Sequence, residues 1–149
     1  MDRGYHVVMR RGLVIAAVVL TVVLGWGAFA STQPPGRHEF RATAVEAAQS
    51  AHDALESAYA AGTELRQGRV TTLYVTVLLD GGTRRTATRI DKLAHLPPPD
   101  DDMRALRDEL APMLTESMRR LGDTAAEPTE VGALPALTER LSVFLEQYG

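Results

Sequence analysis

From Gly12 to Gly36 the chain carries no charged side chain, and Gly12–Ala30 (GLVIAAVVLTVVLGWGAFA) is almost wholly apolar. A helix of about 20 apolar residues spans the hydrocarbon core of a bilayer. In lipid, such a helix satisfies its backbone hydrogen bonds within itself. Only Thr21 interrupts Leu13–Leu24, and its hydroxyl can bond the preceding turn. The expectation is a transmembrane helix over 12–30. Arg3, Arg10 and Arg11 precede it and favour a cytoplasmic tail over 1–11, with the C-terminal part outside. Trp26 suits the outer headgroup region. Ala17, Thr21 and Gly25 fall four apart, a spacing that lets two membrane helices approach closely.

A cleaved signal peptide is the competing reading. Ala28 and Ala30 before Ser31 make an A-x-A-like site, and Arg10-Arg11 resembles the start of a twin-arginine signal. The apolar run reaches Ala30 without a polar region before that site, which favours the anchor. Either way the same domain is exported.

The 149 residues leave room for one further domain of about 110 residues, enough to bury a single core. Beyond residue 30 the chain carries 13 basic and 18 acidic side chains. That balance argues against nucleic acid, whose phosphates need a positive surface. There is no cysteine, hence no disulfide, thiolate chemistry or lipid-modified cysteine. Few aromatics and abundant alanine suit closely packed helices better than a β-sandwich.

Residues 31–38 form a linker in which Pro34-Pro35-Gly36 breaks the membrane helix. The exported domain is then 39–149. A first helix is expected near Glu39–Gln67, with Val45, Ala48, His52, Leu55, Tyr59 and Gly62 on one face. Residues 70–90 admit two readings. Leu73–Leu79 is β-rich and Asp80-Gly81-Gly82 suits a hairpin turn, which would make the domain α+β. Read as helix, Val75, Leu79, Thr86, Ile90, Leu93 and Leu96 share a face, and a lone hairpin is marginal in water. Helix is preferred. Pro97-Pro98-Pro99 ends that element, and Asp100, Asp101 and Asp102 supply a cap and negative charge for the next. Its buried face is Met103, Leu106, Leu110, Met113, Ser117 and Leu121, with Pro112 expected to bend it and Gly122 to end it. Asp123–Ala133 is a polar loop, and a last helix starts near Pro135 with Leu137, Leu141, Phe144 and Tyr148 facing inward. The expected fold is all-α, an antiparallel three- or four-helix bundle hung from one membrane helix.

Chemistry-bearing patterns are sparse. His6, His38, His52 and His95 are scattered, without zinc-ligand spacing, and the acidic trio lacks the alternation of a calcium loop. No nucleophile elbow, P-loop or dinucleotide fingerprint occurs. His52 is expected to be half-buried and bonded to a neighbouring polar group. Arg85, Arg89 and Lys92 share a helical face that suits an anionic partner, or pairs with the Glu-rich first helix.

Taken together, the apolar segment, the Ala-rich stretch AVEAAQSAHDAL, the run YVTVLL and the break LPPPDDDMRALRDELAPML resemble small bacterial single-pass membrane proteins. The resemblance implies an exported helical domain and carries no activity with it; the expected location is the bacterial plasma membrane, with the C-terminal domain outside. The expected role is a non-catalytic interaction module needing no cofactor or metal. Its partners would be the lipid bilayer and another protein or a second copy. A small-molecule-sensing bundle acting through a partner subunit, and a secreted helical protein, are the alternatives. Intact-mass measurement of the mature protein is expected to find the N-terminal segment retained; a start at Ser31 would show cleavage.

Overall fold

The computed structural model describes residues 36–149, which fall in a compact unit formed by Pro35–Gly149. The expected tail, the membrane helix and its seam at Ala17, Thr21 and Gly25 lie outside the described residues. Four helices make up the rest: α1 (Arg37–Arg66), α2 (Thr72–Ala94), α3 (Asp101–Ala126) and α4 (Leu134–Tyr148). Among the described residues there is no strand, and no helix is long and apolar enough to cross a membrane.

Each boundary has a local cause. Gly68 adopts φ +70°, a left-handed conformation open to glycine. It closes α1 with paired bonds from Gly68 N to Leu65 O and from Arg69 N to Glu64 O, both 3.0 Å. Thr71 Oγ1 caps α2 by accepting from Tyr74 N at 3.3 Å. Asp100 Oδ1 caps α3 by accepting from Met103 N at 2.9 Å, with Asp101 and Asp102 in the first turn. Pro135 sits in the first turn of α4, where its missing N–H costs nothing.

The helices alternate in direction. Ser50 meets Thr86 and Glu46 meets Arg89, so α2 runs against α1. Arg37 reaches Asp100 and Asp102, so α3 starts beside the start of α1. Arg41 Nε donates to Tyr148 O at 2.7 Å, and Tyr148 Oη donates to Glu109 at 2.9 Å, so α4 ends at that same end. The all-helical, antiparallel bundle is therefore present as a four-helix form.

α1 is its axis. It packs against all three other helices, whereas α2 and α4 do not touch. A helix so placed must bury more than one stripe, and here seven alanines are buried along α1: Ala44, Ala47, Ala48, Ala51, Ala54, Ala58 and Ala61. The single seam expected from spacing is corrected accordingly. Leu55, Ala48 and Gly62 are buried, but Val45 and His52 are half-buried and Tyr59 is exposed.

The hairpin alternative at 70–90 is also overturned. Gly81 and Gly82 lie inside α2, and Gly82 rests on Ala54 of α1. Two small residues at that crossing bring the backbones together, and this packing outweighs the weak helix propensity of the pair. α3 buries every residue expected of it, with Leu114 and Thr124 in addition. It runs on through Pro112 and past Gly122 to Ala126. Gly122 therefore does not end it, and the loop expected from Asp123 begins four residues later. The reason is that Thr124 and Val131 are both buried, so tertiary contacts hold the extra turn and the connection beyond it. At the N-terminal side, Arg37 and His38, expected in the linker, already belong to α1.

Two glycines in contact with the bundle predict opposite responses. A Cβ on Gly62 would stand 2.5 Å from Pro128 O and closer still to Val131 Cγ1. Gly62→Ala should therefore lower unfolding free energy by about 1–3 kcal/mol. A Cβ on Gly82 would sit 3.5 Å from Ala54 Cβ, an ordinary contact. Gly82→Ala should raise stability by about 0.5–1 kcal/mol. Urea denaturation of both variants measures the contrast.

Candidate functional site

Two surface features of α2 stand out, a polar groove shared with α1 and an apolar cluster on its outer face. The groove has a volume of ≈ 680 Å³. Small residues floor it, since Gly82 has no side chain and Ala54 only a methyl group. Glu46, Gln49 and Asp53 rim it from α1, and Arg85, Thr88 and Arg89 from α2. At its base Thr86 Oγ1 donates to Ser50 O at 3.1 Å, which satisfies a fully buried hydroxyl and ties the two helices.

The structure separates the three cations that the sequence grouped. Arg89 Nη1 donates to Glu46 Oε2 at 2.7 Å, and Lys92 Nζ lies 3.8 Å from the same oxygen. Both are thus matched by the first helix. Arg85 has no ion pair among the described residues. Arg84, its neighbour, is held by Asp80 one turn back at 3.0 Å. Within the groove, Arg85 is the cation left to meet an incoming anion.

The outer cluster consists of Leu73, Tyr74 and Val77, which are 74%, 55% and 65% exposed. Leu73 and Val77 are one turn apart and stack along the same side. The sequence held a signal for them. In the run LYVTVLL six of seven positions are apolar, whereas one helical face can bury only about half of such a run. Here Val75 and Leu79 go inward and Leu73, Tyr74 and Val77 are left outside.

His52 is half-buried, as expected, with Nε2 3.1 Å from Ser142 Oγ of α4. Its Nδ1 has no hydrogen-bond partner among the described residues and stands 3.5 Å from Asp53 Oδ1. Among the described residues, no group of three or more His, Asp or Glu side chains is placed to hold a metal ion. Glu116 on α3 is held down to about 2 from an ordinary 4.5 by hydrogen bonds from Arg119 and Arg120. Those partners stand on its own helix, Arg119 Nη2 at 2.6 Å and Arg120 Nε at 2.7 Å. A carboxyl held so low is an ion-pair anchor, far from the near-neutral range of a general acid or base.

No protein-family model, curated protein or solved structure is matched by this chain. The functional reading therefore rests on the molecule's own surfaces.

The sign of the Glu116 effect follows from its direction. A carboxyl depressed in the folded state stabilises the fold above its unfolded value near 4.5 and loses that contribution as pH falls toward 2. Side-chain carbonyl NMR titration should place the Glu116 midpoint near 2. Arg119→Gln should move it upward, because Arg119 is the largest cause of the shift.

Proposed function

We propose that the chain is a membrane-tethered helical interaction module whose bundle lies outside a bacterial plasma membrane. The observation that carries the interaction reading is the Leu73, Tyr74 and Val77 cluster. Contiguous apolar surface of this kind on a soluble face marks sites where another macromolecule docks. The cluster stands beside the C-terminal part of α1, about 40 Å along the bundle from Gly36, the first described residue. The tether rests on the charge-free apolar stretch of 12–30 and on the arginines before it. Association needs no catalytic group. The partner is another protein or a second copy, with Ala17, Thr21 and Gly25 available as a seam between membrane helices.

A second reading, small-molecule sensing through a partner subunit, is favoured by the α1–α2 groove and its Arg85. Stabilisation of the protein by a specific ligand in a thermal-shift screen would support it.

Because the chain lacks cysteine, one introduced thiol reports cleanly. Val77→Cys should be labelled in intact cells by a membrane-impermeant maleimide, whereas labelling only after lysis would place the bundle in the cytosol. A photo-crosslinking residue at 77 should give a discrete adduct that is absent when it is placed at exposed Glu146. Monomer alone at both positions would overturn the interaction reading.

A further inference from the structure

A second opening, of ≈ 370 Å³, lies between α2 and α3 and is chemically unlike the polar groove. Its floor is formed by the buried side chains of Leu93 and Leu114. Ile90 and Met118, each half-buried, wall it. The opening exists because Ala94 and Ala111 give the seam only methyl groups where longer side chains would fill it. Its volume falls within the usual range for small-molecule pockets, and its lining is apolar with few polar groups.

Among the described residues, the one charged residue in the lining is Arg107, half-buried at its edge. Its guanidinium is weakly engaged. It donates to Asp108, adjacent in sequence, from Nε at 3.3 Å and from Nη2 at 3.2 Å. Strong charge-assisted bonds to a carboxylate are shorter, about 2.7–2.9 Å. A planar fork of donors beside an apolar slot suits a ligand with a carboxylate at one end and a hydrocarbon chain behind it.

We propose that the α2–α3 cleft binds one free fatty-acid molecule, its chain laid on Leu93 and Leu114 and its carboxylate met by Arg107. Burying the chain removes apolar surface from water. An alkylamine would face the like charge of Arg107, and a two-chain lipid would leave its second chain uncovered. This site is separate from the outer face of α2 and does not depend on the interaction reading.

The test uses the full chain in nanodiscs of deuterated lipid, with ¹³C-methyl methionine and decanoate as the probe. Met118 lines the cleft, whereas Met113 lies in the buried core. The Met118 methyl should show intermolecular NOEs to decanoate methylenes, and the Met113 methyl should show none. Arg107→Gln should weaken decanoate binding about tenfold and leave decanol binding unchanged, because only the carboxylate uses the guanidinium. Ala111→Leu should abolish binding of both by filling the slot. Unchanged Met103 and Met113 signals in each variant show that the fold persists. No Met118 NOE at saturating decanoate would overturn the proposal, as would equal decanoate affinity in Arg107→Gln. In a second arm with protonated lipid and no decanoate, NOEs from phospholipid chains to Met118 would overturn the free fatty acid in favour of bilayer lipid.

Discussion

The bundle depends on the close approach of other helices to α1. Seven buried alanines, with Gly62 against Val131 and Ala54 against Gly82, let one helix serve as packing partner to three. Side chains of leucine size at those positions would push the neighbours outward and open the core. Small contacts contribute little apolar area each, so much of the larger apolar area comes from the partner helices, beside Phe40 and Leu55 of α1 itself. Leu110, Leu121, Leu141 and Phe144 are all essentially inaccessible to solvent. α1 provides the alanine groove together with Phe40 and Leu55, and its neighbours provide the rest of the bulk.

That arrangement also accounts for where polar groups sit. The ends nearest Gly36 are joined by Arg37 to α3 and by Arg41 to the C-terminus of α4. The middle is joined by hydrogen bonds of Ser50 and His52, one to α2 and one to α4. The exposed ion pairs on top of this contribute little individually. Their value here is diagnostic, because Glu46 accounts for two of the three cations that suggested an anionic partner.

Surfaces left over by the packing carry the functional argument. α2 is touched by α1 and α3 but not by α4, so part of its circumference has no neighbour among the described residues. Leu73, Tyr74 and Val77 fall on that free part. The seam between α2 and α3 carries Ala94, at the end of α2, and Ala111, and it remains open there. The exposed cluster follows from α2 being a peripheral helix with more apolar residues than its two contacts can cover, and the opening from the small side chains of Ala94 and Ala111.

Much of the helix architecture was legible in the residues alone. The three aspartates after three prolines marked the start of α3, and its spacing gave the buried face, because a cap and a 3.6-residue period are local properties. The charge-free stretch at 12–30 is likewise a matter of sequence, and it alone supports the membrane reading. Periodicity cannot say how many partners a helix has, so the central position of α1 and the second alanine face waited for the fold. Helix over 70–90 was the preferred reading of the sequence and is present, and what the fold added is the crossing of Gly82 on Ala54, residues far apart in the chain. The choice of Glu46 as counter-charge, the exposure of Leu73, Tyr74 and Val77, and the cleft at Arg107 were also tertiary outcomes. Each depends on which neighbour stands opposite, and a linear pattern of residue types does not contain that information.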